Sequence, residues 1–292
     1  LHSNVTQAQS TQSAALTAFN SDGFVLGNDG GVNGSGGTYV GWNWKASGST
    51  VNDTTSGYIA NTQSVNEAAG FTILTYTGTA TNTVTNCGLS DPLDVSITKR
   101  LDSAGEWVVY HRYNTGTDGR NYLVLDDTDA SANDVTMFQS VPPQMFGSNS
   151  IQAMGATSPI NINNATYVSY GFASRPSYSK FLNYTGNGNA DGPFVYTGFK
   201  PAWIMIKRTD VANHWIIVDN KRNPFNLVNN KLLANEPDAQ EIGTGNTMDF
   251  LSNGFKLKAT NAAANASGGN YVYLAFAENP FVTSTDNGSI PA

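Results

Sequence analysis

Apolar positions along the chain come in short runs separated by turn-forming clusters. Phe71-Thr-Ile-Leu-Thr-Tyr76, Leu93-Asp-Val-Ser-Ile-Thr98 and Tyr167-Val-Ser-Tyr-Gly-Phe172 are rich in β-branched and aromatic residues and often alternate with polar ones. That period of two is the signature of half-buried strands. Between such runs lie Asn33-Gly-Ser-Gly-Gly37, Asn114-Thr-Gly-Thr-Asp-Gly119 and Asn187-Gly-Asn-Ala-Asp-Gly192, whose residues favour turns. Trp203-Ile-Met-Ile-Lys-Arg208 is apolar at nearly every position, as expected of a strand covered on both faces, whereas Lys256-Leu-Lys258 reads as half-exposed. Only Ala8 to Ala18 and Asn229 to Gln240 could hold a short helix, and Pro237 interrupts the second. The pattern predicts an all-β protein.

The runs repeat. Tyr76-Thr-Gly78 recurs as Tyr184-Thr-Gly186, 108 residues on, and Trp107-Val-Val-Tyr110 recurs as Trp215-Ile-Ile-Val218 at the same shift. Pro92 to Arg100 answers Pro201 to Arg208, so that Lys99-Arg100 matches Lys207-Arg208. Tyr167 to Phe172 answers Tyr271 to Phe276 at a shift of 104, a drift that loop insertions between fixed strands produce. A partial third copy lies at the amino end. Phe19-Asn-Ser-Asp-Gly-Phe-Val-Leu26 parallels Phe250-Leu-Ser-Asn-Gly-Phe-Lys-Leu257, and Gly37-Thr-Tyr-Val-Gly-Trp-Asn-Trp44 parallels Gly269-Asn-Tyr-Val-Tyr-Leu-Ala-Phe276.

The expected organisation is therefore residues 1–46 as the last part of a preceding β module, 47–174 as a first full β-sandwich repeat and 175–292 as a second. The repeats are expected to stack as separate rigid beads. A closing strand pair cannot bury an apolar face alone, so a longer parent chain, a neighbouring subunit or packing on the first full module is expected to complete this partial unit; the longer parent is favoured, since it also accounts for the absence of an initiator Met.

Charge narrows the partners. The chain has 292 residues with 15 Lys+Arg against 22 Asp+Glu, and only 13% are charged, about half the usual share of roughly 25%. Without a basic cluster it offers no footprint for nucleic acid or anionic lipid, and no apolar run nears the ~18 residues of a membrane span. Leu1 to Ser10 lack the pattern of a signal peptide. One cysteine, Cys87, excludes an internal disulfide and a Cys-based zinc site.

Gly198-Phe-Lys-Pro-Ala-Trp203, Asp219-Asn-Lys-Arg-Asn-Pro-Phe-Asn226 and Ala275-Phe-Ala-Glu-Asn-Pro-Phe281 resemble a tandem repeat of virion structural proteins of marine and cyanobacterial tailed bacteriophages. The resemblance covers 15–46 in part and 66–283 nearly throughout; it departs at 136–151, where Pro142-Pro143 and Met145-Phe146 stand. It implies lectin-like (concanavalin-type or jelly-roll) antiparallel sandwiches in tail, fibre or capsid-surface proteins, at the virion surface or otherwise extracellular, and it carries no catalytic residues over.

Candidate sites are few. Asp126, Asp127 and Asp129 form an acidic turn that could take a calcium ion, although EF-hand spacing is lacking and Asp is a common turn former; otherwise no cofactor is expected. His2, His111 and His214 have no metal-binding spacing, and no Gly-x-Ser-x-Gly elbow is present. A glycosidase needs two carboxylates about 5–9 Å apart across a cleft, and nothing marks such a pair, so no enzyme is expected. Trp42, Trp44, Trp107, Trp203 and Trp215 all fall in strand patterns and read as core. Tyr113, Tyr178 and Phe225, on loops, are the candidate rings for a sugar. The Lys-Arg pairs end equivalent strands and read as structural or inter-module contacts, edge-strand cations also discouraging aggregation.

The expected function is a bacteriophage virion component, a tail fibre or particle-surface protein that displays rigid modules for host attachment. Its partners would be other virion proteins, copies of itself in a symmetric oligomer such as a trimer, and host-surface glycan. Two alternatives stand: a capsid-decorating protein that binds only virion proteins, and a carbohydrate-binding adhesin of a bacterial surface protein.

Overall fold

The computed structural model describes residues 1–114, 120–134, 136–138, 150–153, 158–243, 245 and 247–278. Most of the turn at 114–119, residues 139–149 of the departure at 136–151 and the end of the motif at Ala275 to Phe281 lie outside them.

The strands are β1 (Leu16–Asn20), β2 (Gly23–Leu26), β3 (Val51–Asp53), β4 (Asn61–Asn66), β5 (Phe71–Thr77), β6 (Thr83–Asn86), β7 (Val95–Arg100), β8 (Trp107–His111), β9 (Asn121–Val124), β10 (Ala132–Asn133), β11 (Ser150–Ala153) and β12 (Thr166–Phe172). They continue with β13 (Ser179–Thr185), β14 (Phe194–Tyr196), β15 (Pro201–Arg208), β16 (Ile216–Asp219), β17 (Asn230–Leu233), β18 (Glu241–Ile242), β19 (Met248–Leu251), β20 (Gly254–Leu257) and β21 (Asn270–Ala277). Two single-turn helices, α1 (Gly30–Asn33) and α2 (Ala262–Asn265), complete the described elements. The chain is all-β, in antiparallel sheets.

The repeat is written into the sheets. One large sheet has the order β10-β9-β8-β7-β12-β5-β4-β3, and the other β18-β17-β16-β15-β21-β13. Six places correspond one to one, and β4 and β3 extend the first sheet. Registers agree as well: Tyr76 pairs with Tyr167, and Tyr184 with Tyr271. Both pairs stack, with ring centroids 5.0 and 4.9 Å apart. At the amino end Phe19 pairs with Phe24 as Phe250 pairs with Phe255. The α1 and α2 turns are each tied by a tyrosine hydroxyl: Tyr39 donates to Gly30 O (2.9 Å) and Tyr271 to Ala262 O (2.7 Å).

Successive side chains in a strand point to opposite faces, and here each face meets a different core. Trp203 and Met205 of β15, Trp215 just before β16, Ile217 within it, and Leu274 and Phe276 of β21 enter a central core. Their neighbours Ile204, Ile206, Ile216, Val218, Tyr273 and Ala275 enter a second core beneath the β14-β20-β19 sheet. The central core also takes Phe71, Val95, Trp107, Val109 and Phe172 from the first repeat, with Trp42 and Trp44 packed against it. The continuous apolar run at Trp203–Ile206 has this cause.

Separate beads are therefore corrected to fused units. Three repeat-equivalent rings meet pairwise at the centre: Trp44–Phe172 at 6.5 Å, Trp44–Phe276 at 5.4 Å and Phe172–Phe276 at 6.0 Å. The units are disposed around a common point instead of strung in line, because each large sheet has one face that only a neighbouring unit covers. Three smaller expectations are also corrected. Ala8 to Ala18 runs into the start of β1, and Asn229 to Gln240 contains β17, with no helix in either. Gly37 to Trp44 forms no strand, since the amino-terminal unit lacks the ladder partners that β13 and β15 give to β21. Lys99-Arg100 and Lys207-Arg208 end interior strands, not edges.

Candidate functional site

The ends of β7 and β15 are built alike. Each strand finishes in a Lys whose side chain turns inward and an Arg whose side chain turns out. Lys207 Nζ donates to Thr128 O (2.9 Å) and Arg208 O (3.0 Å); Lys99 Nζ donates to Thr6 O (3.0 Å), Arg100 O (3.1 Å) and Gly105 O (2.9 Å). Each lysine thus straps its own sheet to the preceding unit. Burial pushes the Lys207 ammonium down to about 8, against the opposing pull of Asp129 and Asp127. The arginines pair with Asp102 and Asp210, both at 2.9 Å. Those carboxylates also accept the backbone N–H of Thr166 and Asn270, and each is held below the usual carboxylate range first by its arginine.

Beside each of these ends the sheet leaves a crevice, at the same place in both repeats, the second of them mainly polar. The first, about 380 Å³, is lined by Thr75, Leu101, Thr166 and Tyr167, with Asn52 and Asn61 on the wall that β3 and β4 supply. The second, about 450 Å³, is lined by the counterparts Asn183, Thr209, Asn270 and Tyr271. Its other wall comes from the first repeat: Tyr113, Asn114, Asn121 and Ser131. The second crevice therefore spans the junction between repeats.

Both crevices hold a buried amide with an unmet hydrogen-bonding atom. Asn114 and Asn61 are each 5% exposed. Among the described residues Asn114 Nδ2 and Ser131 Oγ have no partner, and neither has Asn61 Oδ1, although Asn61 Nδ2 donates to Ile59 O (3.3 Å) and Asn86 O (3.2 Å). An unpaired buried polar group costs about 1–3 kcal/mol, so a ligand or water that supplies both donors and acceptors is favoured there. His111 shapes the second crevice from behind. Its Nδ1 accepts the Tyr113 N–H (3.2 Å) and its Nε2 lies 3.3 Å from Tyr273 O, a pattern that the neutral imidazole with the proton on Nε2 satisfies. Burial pushes this imidazole down to about 4.

The candidate rings are not brought together. Tyr113 lines the second crevice, Tyr178 packs edge-on against Phe276 (5.9 Å) at the central core, and Phe225 stands 83% exposed on the β16–β17 connection. The crevice asparagines were missed in the sequence. Their signal was the polar pairs Thr75/Asn183 and Thr166/Asn270 at repeat-equivalent strand positions.

The acidic turn has structural contacts. Asp126 accepts the Trp107 N–H at 2.8 Å, and Asn235 does the same for the equivalent Trp215 at 2.9 Å, so an amide serves as well as a carboxylate. Asp127 and Asp129 face the buried Lys207 electrostatically. Among the described residues no three His, Cys, Asp or Glu side chains converge as a metal-binding group. Cys87 is buried, which pushes its thiol up to about 11 and leaves little reactive thiolate. Among the described residues no helix is long and apolar enough to cross a membrane.

The fold defines an all-β repeat protein, with a crevice lined by amides, hydroxyls and tyrosine beside each large sheet. The family model described as a domain of unknown function, DUF7483, matches residues 1–280, and the chain belongs to that family. No curated protein and no solved structure matches it.

Proposed function

We propose that this chain is a surface component of a bacteriophage particle, a tail-fibre or comparable attachment module, and that its two crevices hold host-surface glycan. The observation that carries the reading is the pair of repeat-equivalent crevices with an unmet amide in each. A sugar ring offers hydroxyls that donate and accept at once, which suits Asn114 Nδ2, Asn61 Oδ1 and Ser131 Oγ, while Tyr113 supplies an aromatic side. Among the described residues the lining contains a single carboxylate in each crevice, Asp53 or Asp210, which favours binding over glycoside cleavage. Two sites on one fused body would act together on a polymeric glycan by avidity.

A glycan array with host-adsorption measurements tests this. Binding to one class of polysaccharide is expected, weakened by Tyr113→Ala or by Asn61→Leu. No glycan binding by a protein that stays particle-bound would replace the reading with capsid decoration.

A further inference from the structure

The amino-terminal unit exposes a face that its counterpart buries. Phe19 is 80% exposed where Phe250 is 4%, and Tyr39 is 53% exposed where Tyr271 is fully buried. Phe24 and Leu26 stand open where Phe255 and Leu257 are covered. Together with Leu16 and Val32 these residues line an open apolar groove of about 370 Å³. In the last repeat the same positions are covered by Tyr184 of β13, Ile204 and Ile206 of β15, and Ile216 and Val218 of β16.

We infer that this groove is the seat of a third large sheet, supplied by the polypeptide that runs into Leu1 and matching β13, β15 and β16. The hydrogen-bond register names the source. Trp215 Nε1 donates to Val124 O (2.8 Å), and the equivalent Trp107 Nε1 donates to His2 O (2.9 Å). Asn213 N donates to Thr128 O and Ser131 N to Thr209 O; Gly105 N donates likewise to Thr6 O and Gln9 N to Leu101 O. Residues 2–9 thus lie on the first repeat as residues 124–131 lie on the second, at a constant offset of 122. Val124 ends β9, which follows β7 and β8 in the chain. His2 holds the same place, so the strands that would cover Phe19 precede it in chain order. Ser3 Oγ already donates to Ala234 O of the last repeat (2.7 Å), which brings the amino-terminal unit round to the third side of the ring. A sheet seated there would stack a tyrosine on Tyr39, as Tyr184 stacks on Tyr271, and aim a tryptophan N–H at Leu233 O, the counterpart of Val124 O.

The test places residues 175–231 of this chain directly before Leu1, because Leu1 is register-equivalent to Leu232. Hydroxyl-radical footprinting of the extended and original chains then compares Phe19, Phe24 and Tyr39. Labelling of Phe19 is expected to fall roughly twentyfold, the ratio of 80% to 4% exposure, and Phe19→Asp in the extended chain should restore labelling of Phe24 and Tyr39. Undiminished labelling in a folded extended chain overturns the inference. So does concentration-dependent protection of the original chain with dimer mass, which would assign the groove to a second copy. If the extension does not fold, peptide mapping of the natural polypeptide decides. A preceding segment with tyrosine and tryptophan in the register of Tyr184 and Trp215 is expected; a natural chain without it refutes the inference.

Discussion

Trp215 donates its indole N–H to the carbonyl oxygen of Val124, 2.8 Å away in the preceding repeat. The side chain is fully buried, so neither the ring nor the carbonyl has water to replace the other. Trp215→Phe keeps most of the apolar contact and orphans Val124 O. A loss of about 1–3 kcal/mol is expected in denaturant unfolding. Trp107→Phe, whose partner is His2 O, should act in the same direction.

Fusion of the repeats through one core predicts one cooperative transition. Phe276 touches Trp44, Phe172, Phe181 and Trp203. Phe276→Ala is expected to cost about 3–5 kcal/mol and to raise amide exchange in β12 as well as β21. Faster exchange confined to β21 would point to independent beads.

His111 predicts an acid limb. Its ordinary value of 6.5 falls to about 4 in the folded chain, because burial disfavours the charged ring. Above pH 6.5 the imidazole is neutral in both states and does not alter stability. Between 6.5 and about 4 the unfolded chain takes up the proton first, so stability falls as pH falls, by about 3 kcal/mol in all. His111→Gln should remove that part of the slope in thermal unfolding measured against pH.

Asp126 predicts indifference to calcium. Because Asn235 caps Trp215 N as Asp126 caps Trp107 N, Asp126→Asn should leave stability nearly unchanged. Asp126→Ala should cost about 1 kcal/mol through the lost cap. Added calcium or a chelator should not move the melting temperature, and a calcium-dependent rise would support a metal site at Asp126, Asp127 and Asp129.

How far the sequence could be read differs between fold and site. Strand identity, the 108-residue spacing and the core placement of the tryptophans were legible, because side-chain periodicity and repeat register are local properties. The inward lysines were legible as structural contacts through their repetition, though not as residues of interior strands. The crevice was half legible: Tyr113 was singled out, but Asn61, Asn114 and Asn270 look like ordinary turn or strand-end residues until sheets bring them together.

By itself the sequence determined the all-β class and which residue answers which across the repeats, since both follow from the chemistry of neighbouring side chains. Tertiary structure alone decided that the repeats share a core, that Asp126 caps a strand, and that an apolar face at Phe19 and Tyr39 stays open. The physical reason is that a strand has two faces, and its pattern marks both as apolar without saying which unit covers either one.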